Sequence, residues 1–269
     1  MNPRQVVPAK AVVLLLVVLL NLVALGQAGA DGLEDARRRG SLLVGVKTDF
    51  PPFGYMDHAG RIQGFDVEIA RVLARAFFNE EGRLELVAVT SGSRIPFLYS
   101  EWIDMIIATM TITDERRQVL EFSEPYFLSR SLLLVPKDSP VKGLEDLAGK
   151  SVGIIEGATQ EKDLATVAPA ARRVLFHTIP EAVQALKQKR VDAFCQDDVL
   201  VLTLARENPD LQTVGKSFLP RPYAVAARKG ELRLIRWVNE QLTRMKSDGN
   251  YDRLWQKYFG ELGGLLTKP

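Results

Sequence analysis

Short apolar runs rich in β-branched residues alternate with stretches of helical periodicity along most of the chain. Leu42–Val46 predicts a first strand, and the apolar residues after Asp66 recur at three- and four-residue spacing, which predicts an amphipathic helix. Further strands are predicted at 84–89 and 104–108, with a short helix at 95–99 between them. Strands that alternate with helices are typical of an α/β protein with crossover connections.

A second α/β unit is predicted after residue 127. Its strands are predicted at 132–135, 152–155, 174–176 and 191–194, with helices near 160–167, 181–189 and 199–207. The segment Leu219-Pro220-Arg221-Pro222 interrupts the regular pattern, and a strand at 223–227 and helices near 231–246 and 251–258 follow it. Two α/β units with short connections leave a cleft between them, which is where small ligands usually bind.

The first thirty residues have a different pattern. Arg4 and Lys10 precede an apolar run from Ala11 to Leu25, and Ala28-Gly29-Ala30 follows that run. The run is shorter than the roughly 20 residues that a transmembrane helix needs, so the pattern predicts a secretory signal peptide rather than an anchor. We expect cleavage after Ala30 and an exported, periplasmic and monomeric product.

Composition narrows the function classes. The 269 residues carry a formal net charge of +2, and Cys195 is the single cysteine, so neither an internal disulfide nor a cysteine-rich metal site is expected. Without the two basic residues of 1–30 the charges balance, with 33 Lys and Arg against 33 Asp and Glu. This balance does not suggest a nucleic-acid-binding surface.

Residues typical of catalysis are sparse. The two histidines are His58, in a polar turn, and His177, after a predicted strand, where a loop or wall position is the simpler interpretation. The chain has no Gly-x-Ser-x-Gly, His-Glu-x-x-His or P-loop motif. Cys195 ends an apolar strand, which favours burial without reactivity. We therefore expect a protein that is not an enzyme and has no cofactor or metal.

Two adjacent arginines lie near the start of a predicted helix, a position that the helix dipole makes unfavourable for cations. Thr113 has the chemistry of a helix N-cap, and two acidic residues follow it as expected of a first turn. Arg116 and Arg117 come next, near the helix end that disfavours cations, so an anionic ligand is one explanation. The alternative is that each arginine pairs with Asp114 or Glu115 or reaches solvent, and Arg117 is the better candidate for that.

Two further positions complete a candidate amino acid site. Gly157-Ala158-Thr159 follows a predicted strand and opens a helix, where backbone N–H groups can bind an anion, although an ordinary helix cap has the same pattern. Asp197 ends another strand, where ligand groups gather in open α/β sheets, although Asp197 or Asp198 can also cap the next helix. An arginine with threonines suits a carboxylate, and an aspartate suits an ammonium group. Together these groups match an α-amino acid.

Five linked segments resemble the polar amino acid class of extracellular solute-binding proteins of ABC importers. They occur in order and at matching spacing over nearly the whole predicted mature chain: Gly45-Val46-Lys47-Thr48-Asp49-Phe50-Pro51-Pro52-Phe53-Gly54-Tyr55, Gly64-Phe65-Asp66-Val67-Glu68-Ile69-Ala70, Ile107-Ala108-Thr109-Met110-Thr111-Ile112-Thr113-Asp114-Glu115-Arg116, Phe122-Ser123-Glu124-Pro125-Tyr126 and Gly157-Ala158-Thr159. The resemblance implies a two-lobed periplasmic-binding-protein fold (type II) with flavodoxin-like lobes. The implied lobe 1 combines 31–127 with 223–269, and lobe 2 is 128–222. Two hinge crossings join them, and closure around a ligand is a hinge motion.

The resemblance also implies roles for individual residues. Arg116 is expected to hold the ligand α-carboxylate, with help from Thr111 and Thr159. Asp197 is expected to take the α-ammonium together with groups of Ala108 and Thr109. Phe50 lies where relatives place an aromatic ring against the ligand.

Lys47 and Arg94 bear on the ligand's side chain. The loop Ser91-Gly92-Ser93-Arg94-Ile95-Pro96 resembles that of glutamate- and aspartate-binding members, where the arginine meets the side-chain carboxylate. Lys47 lies at the end of the first predicted strand. Members of the family that prefer basic ligands tend to carry an acidic residue at this position. A ligand carboxylate makes two neighbouring cations favourable, so we expect glutamate or aspartate, with glutamine as the alternative. The plainer interpretation is that Lys47 points to solvent and Arg94 pairs with Asp114 or Glu115.

The function expected from the sequence is delivery of an acidic amino acid to the membrane permease of an ABC importer. Two alternatives remain open. One is an enzyme of the cyclohexadienyl dehydratase type on the same fold, and the other is a ligand-presenting sensory subunit, which would bind the same molecules.

Overall fold

The computed structural model describes residues 32–80 and 83–266, so the predicted signal peptide and its cleavage site after Ala30 lie outside the described residues. The helices are α1 (Gly32–Arg39), α2 (Phe65–Phe78), α3 (Arg94–Tyr99), α4 (Asp114–Val119), α5 (Gln160–Val167), α6 (Ile179–Lys187), α7 (Asp198–Glu207), α8 (Leu232–Ser247) and α9 (Asn250–Phe259). The strands are β1 (Leu42–Val46), β2 (Asp49–Phe50), β3 (Gly54–Met56), β4 (Ile62–Gln63), β5 (Leu84–Ala88), β6 (Met105–Ile106), β7 (Leu120–Phe122), β8 (Phe127–Pro136), β9 (Ser151–Ile155), β10 (Arg172–Phe176), β11 (Ala193–Asp197), β12 (Leu211–Tyr223) and β13 (Ala226–Arg228). Among the described helices, none is long and apolar enough to cross a membrane.

Two five-stranded sheets divide the chain into two lobes. The sheet of lobe 1 has the order β5-β1-β6-β13-β7, with β1 parallel to β5 and β6, and β13 antiparallel to β6 and β7. The sheet of lobe 2 has the order β10-β9-β11-β8-β12. Because β13 follows lobe 2 in sequence but pairs inside the first sheet, the chain leaves lobe 1 and returns to it. The predicted two-lobed α/β fold is confirmed.

The two connections between the lobes run side by side. Strands β8 and β12 are antiparallel, and Phe127, where β8 begins, pairs with Tyr223, where β12 ends. Tyr223 also forms an isolated bridge with Thr111 of lobe 1. Both crossing strands therefore meet lobe 1 close to the predicted binding residues.

The proline-containing segment at the end of lobe 2 corrects the sequence interpretation. The structure continues β12 from Leu211 to Tyr223, through Leu219-Pro220-Arg221-Pro222, where an interruption was expected. Its pairing with β8 shifts register between Val214 and Phe218 and again between Phe218 and Arg221. A bulged strand at the edge of a sheet tolerates prolines because their missing N–H groups are not needed for a second neighbour.

Buried aromatic rings pack beneath the crossing strands. The Phe53 ring lies 4.8 Å from that of Phe127 and 5.4 Å from that of Tyr223, and Phe127 lies 5.0 Å from Phe259 of α9. All four rings are buried. These contacts tie the crossing strands to the core of lobe 1.

The turn before α2 gives a first prediction, on stability. Gly64 has a φ of 136°, and a Cβ there would lie 2.0 Å from the carbonyl oxygen of Phe53. We expect Gly64→Ala to lower the free energy of unfolding by ~3 kcal/mol or more, because backbone strain adds to a clash with backbone.

The matched control is Gly60→Ala, since Gly60 also has a positive φ, of 74°, but has no atom within 4 Å of an added Cβ. Its expected cost is only about 1 kcal/mol. Urea unfolding of both variants measures the difference, and equal losses would contradict the role assigned to the Phe53 contact.

Candidate functional site

A narrow cavity lies between the two lobes, at the ends of strands from both sheets. Its lining residues are Phe50, Ser91, Arg94, Thr109, Thr111, Ala158, Thr159, Gln160, Gln196 and Asp197. Six of the nine residues predicted from the sequence belong to this lining. The other three, Lys47, Ala108 and Arg116, adjoin it through contacts described below.

Arg116 reaches across the cleft from the first turn of α4. Its guanidinium donates to the carbonyl oxygen of Thr111 at 2.9 Å and to that of Gly157, in the other lobe, at 2.8 Å. The predicted N-cap is confirmed, since the Thr113 hydroxyl accepts from the Arg116 N–H at 3.2 Å. Burial lowers the pKa of Arg116, and Asp197 is the strongest influence that raises it. The guanidinium therefore lies between the lobes, where it can meet a ligand carboxylate.

Arg117 does not face the cavity. It is exposed, and its guanidinium lies 5.8 Å from the centre of the Phe122 ring. This agrees with the expectation that one of the two arginines has a surface position.

Asp197 ends β11 with both carboxylate oxygens hydrogen-bonded. One oxygen accepts from Gln160 Nε2 at 2.8 Å, and the other accepts from the hydroxyl of Tyr223. Burial raises the pKa of Asp197 to about 6, and the hydrogen bonds from Tyr223 and Gln160 oppose that rise. The side chain does not cap α7. Asp197 is therefore a buried carboxylate that is mostly ionised at neutral pH, as an ammonium site requires.

Asp198 has a separate role. Its Oδ1 accepts from the Ser129 hydroxyl at 3.0 Å and from the Val199 N–H at 2.9 Å. Asp198 is thus held at the start of α7 and is absent from the cavity lining, which separates the roles of the two adjacent aspartates.

Thr109 has a left-handed backbone with a φ of 47°, and two buried groups hold it. Its N–H donates to Asp66 Oδ2 at 2.8 Å, while Arg94 Nη1 donates to the carbonyl oxygens of Ala108 at 2.5 Å and Thr109 at 3.1 Å. Burial raises the pKa of Asp66 to about 7. A carbonyl oxygen carries two lone pairs, so the carbonyl groups of Ala108 and Thr109 can accept from Arg94 and also from a ligand ammonium group. Their contact with the ligand stays a prediction.

Lys47 and Arg94 are both buried at the lobe 1 side of the cavity. Lys47 is 1% exposed and Arg94 2%. The Lys47 ammonium donates to the Ser91 hydroxyl at 3.2 Å and lies 3.8 Å from Asp49 Oδ1. Burial lowers the pKa of Lys47 to about 8 and that of Arg94 to about 9. The interpretation that Lys47 points to solvent is therefore wrong.

The alternative pairing of Arg94 with an acid of α4 is also wrong. Arg94 bonds to the carbonyl oxygens of Ala108 and Thr109, as described above, and Glu115 instead pairs with Lys162 of the other lobe. The lining of the cavity includes Arg94 but neither Asp114 nor Glu115.

Thr159 lies at the N-cap position of α5 but makes no capping hydrogen bond with its side chain. The predicted helix after Gly157-Ala158-Thr159 is confirmed, because α5 begins at Gln160. The Thr159 side chain lines the cavity, as a contact to a ligand carboxylate requires.

Several buried residues of the site did not stand out in the sequence: Ser91, Gln160, Gln196, Tyr223 and, behind Thr109, Asp66. Asp66 did have a signal in the sequence, because it lies between two apolar residues, Phe65 and Val67. An acidic residue at the start of a helix otherwise often stays in solvent. Gln160 and Gln196 directly adjoin predicted site residues in sequence. Tyr223 had no comparable local signal, since only the return of the chain to lobe 1 brings its hydroxyl to Asp197.

The remaining candidates for chemistry do not line the cavity. His58 and His177 are exposed, and His177 Nδ1 lies 2.7 Å from Glu156 Oε2 on the surface. Cys195 is buried and is a free cysteine. Within 32–80 and 83–266, no group of three or more His, Cys, Asp or Glu side chains is arranged to hold a metal ion.

Comparisons with known proteins agree with this geometry. The family described as bacterial extracellular solute-binding proteins, family 3, matches residues 42–261. The ABC transporter glutamine-binding protein GlnH of Bacillus subtilis (strain 168) is 36% identical over 263 residues, which covers 93% of this chain and 96% of that protein. The glutamine-binding protein of Geobacillus stearothermophilus is 38% identical over 204 residues, covering 75% of this chain and 78% of that protein.

Among solved structures, an ancestral arginine-binding protein bound to glutamine has a TM-score of 0.78 and 39% identity, with 82% of this chain and 99% of that chain covered. Other relatives are named for histidine, L-cystine and arginine, and one structure is described as an ancestral amino acid-binding protein that is a precursor of cyclohexadienyl dehydratase. The comparisons therefore agree on the protein family, but the relatives are named for several different amino acids.

Proposed function

Because the chain belongs to family 3 of the bacterial extracellular solute-binding proteins and is a solute-binding protein of an amino acid ABC transporter, we propose that its ligand is glutamine. Glutamine binds in the cavity between the lobes, and the closed protein presents it to the permease. Export to the periplasm and a monomeric state are part of the same proposal. The observation that carries the choice of ligand is the ion pair of Lys47 with Asp49 beside the cavity.

The backbone groups of an α-amino acid find complementary partners at opposite sides of the cavity. Arg116, with the hydroxyls of Thr111 and Thr159, meets the carboxylate, and Asp197 meets the ammonium group. Buried charges are favourable only when each has a partner of opposite sign, so a zwitterion suits the site better than a simple acid or amine.

The acidic preference that the sequence predicts is not supported by the relatives, two of which are named for glutamine. The structure also supports an amide, because the Lys47 ammonium has a carboxylate at 3.8 Å and Arg94 has two carbonyl acceptors. Neither cation therefore depends on a ligand carboxylate for a partner. Two buried cations also disfavour arginine and lysine side chains, because like charges repel strongly at low dielectric.

Calorimetric titration against the twenty amino acids tests the proposal, using protein that has been unfolded and refolded to remove bound ligand. We expect glutamine to bind most tightly, at micromolar affinity or better, which corresponds to about −8 kcal/mol. Glutamate is expected to bind at least about tenfold more weakly. A higher affinity for glutamate would contradict the choice of ligand, and no heat with any amino acid would contradict amino acid binding itself.

We also propose that the protein binds its ligand without transforming it. Asp197 is the carboxylate among the cavity-lining residues, and its two oxygens are held by Gln160 and Tyr223 in the position assigned to the ligand ammonium group. A dehydratase needs a general acid that carries its proton when the hydroxyl leaves. Incubation with prephenate and arogenate is the check, and formation of phenylpyruvate or phenylalanine at a turnover above background would contradict the proposal.

A further inference from the structure

Asp49 bonds to two parts of the protein that belong to different lobes. Its Oδ1 lies 3.8 Å from the Lys47 ammonium in lobe 1. Its Oδ2 accepts from the backbone N–H of Ile179, the first residue of α6 in lobe 2, at 3.1 Å. One carboxylate therefore neutralises a buried cation of the binding site and also contacts the opposite lobe when the lobes are together.

The surroundings of Lys47 explain why this carboxylate bears on ligand choice. Lys47 is fully buried, and besides Asp49 its ammonium bonds to the neutral Ser91 hydroxyl and lies 5.8 Å from the centre of the Phe50 ring. Arg94, a second buried cation, disfavours the charged form of Lys47. Asp197 also favours the charged forms of Lys47 and Arg94, but it is assigned to the ligand ammonium group. Without Asp49, two buried cations would therefore share one carboxylate at this end of the cavity, and a ligand carboxylate could supply the second.

We propose that Asp49 is a specificity-determining residue that sets the preference of the site for a neutral amide over a side-chain carboxylate. It does so by acting as an internal counter-ion to Lys47, in the place that the carboxylate of a glutamate ligand would otherwise take. The inference rests on the proposed function, because it assumes that the cavity binds glutamine.

A purely mechanical role for Asp49 predicts something different. If the carboxylate only joins the lobes through Ile179, its replacement weakens every ligand to the same extent. Asp49→Asn separates the two roles, since the amide oxygen still accepts a hydrogen bond from the Ile179 N–H while the negative charge is lost.

The experiment measures the dissociation constants of glutamine and glutamate by calorimetry for the wild type and Asp49→Asn, after ligand removal. We expect the ratio of the glutamate constant to the glutamine constant to fall by about tenfold or more, because a buried cation that has lost its adjacent carboxylate interacts strongly with a ligand carboxylate. An unchanged ratio would overturn the inference, whatever happens to the absolute affinities.

Two further variants make the result independent of the folding of Asp49→Asn. Lys47→Gln leaves the Asp49 charge unpaired and should move the ratio in the opposite direction, and the double variant should return it towards the wild-type ratio. Glu115→Gln is the control, because it removes the carboxylate of another ion pair between the lobes, that with Lys162, which lies on the Arg116 side of the cleft rather than beside Lys47. Its ratio should stay that of the wild type.

The outcomes also separate this inference from the proposed function. If the wild type binds neither amino acid, the proposed function fails. If the wild type prefers glutamine but the ratio is unchanged in Asp49→Asn, only the role of Asp49 fails.

Discussion

Arg116→Ala is expected to weaken binding of every amino acid by about 1,000-fold or more, whatever the side chain of the ligand. Loss of one partner from a buried, hydrogen-bonded charge pair costs several kcal/mol, because the ligand carboxylate is then left in the cleft without its counter-ion. The same substitution removes the hydrogen bond that Arg116 donates across the cleft to Gly157. Both losses act on the closed, ligand-bound protein.

Two matched variants test whether the guanidinium itself is responsible. Arg117→Ala removes the neighbouring arginine, which is exposed and lies over Phe122, and should leave affinity within about twofold of the wild type. Arg116→Lys keeps the charge but loses the planar pair of donors and should bind more weakly than the wild type. Titration with glutamine gives the affinities, and thermal melting checks the fold. An equal loss in Arg116→Ala and Arg117→Ala would contradict the role assigned to Arg116.

Most regular elements of the fold could be predicted from periodicity, because their apolar faces are set by local spacing. Strand β1 was predicted with its observed bounds, and α5 was predicted at the observed 160–167. The small sheet β2-β3-β4 was not predicted, since its two- and three-residue strands are too short to show an alternating pattern. No strand was predicted over the first part of β12, and its prolines were interpreted as an interruption, although the edge position of β12 in the sheet permits them.

For the site, the sequence identified residues but not their partners. It indicated Lys47 and Arg94 as cations of the cleft, and the structure buries both of them. Residue types alone could not show that Asp49 turns towards Lys47 while Arg94 turns towards two carbonyl groups. Those partners depend on where short loops place each side chain, and they decide whether a cation needs a ligand carboxylate. The acidic preference inferred from the sequence rested on two cations without known partners, and the proposal of glutamine rests on the partners that the structure places beside them.

Asp197→Asn is the second substitution with a large expected effect. We expect glutamine affinity to fall at least about 100-fold, because the asparagine amide cannot neutralise a buried ammonium group. Asn is nearly the same size as Asp, and its amide oxygen can still accept from Gln160 while its NH2 group can donate to the hydroxyl oxygen of Tyr223, so the loss reports mainly the charge. Asp198→Asn is the matched control, since Asp198 bonds to Ser129 and Val199 and does not line the cavity. Equal losses in the two variants would contradict the assignment.

The same carboxylate predicts how binding depends on pH. The pKa of Asp197 is raised to about 6, chiefly by burial, and only the ionised form attracts the ligand ammonium. Affinity for glutamine should therefore change little close to pH 7, below the pKa values of Lys47 and Arg94, and should fall as the pH drops through 6, approaching a tenfold loss per unit well below the pKa of Asp197. Asp66, whose pKa is about 7, is a second buried carboxyl close to the site, and Asp66→Asn tests its share while keeping an acceptor for the Thr109 N–H. A decline that persists in Asp66→Asn supports Asp197 as the titrating group, whereas a decline that disappears in this variant, or constant affinity down to pH 5, contradicts it.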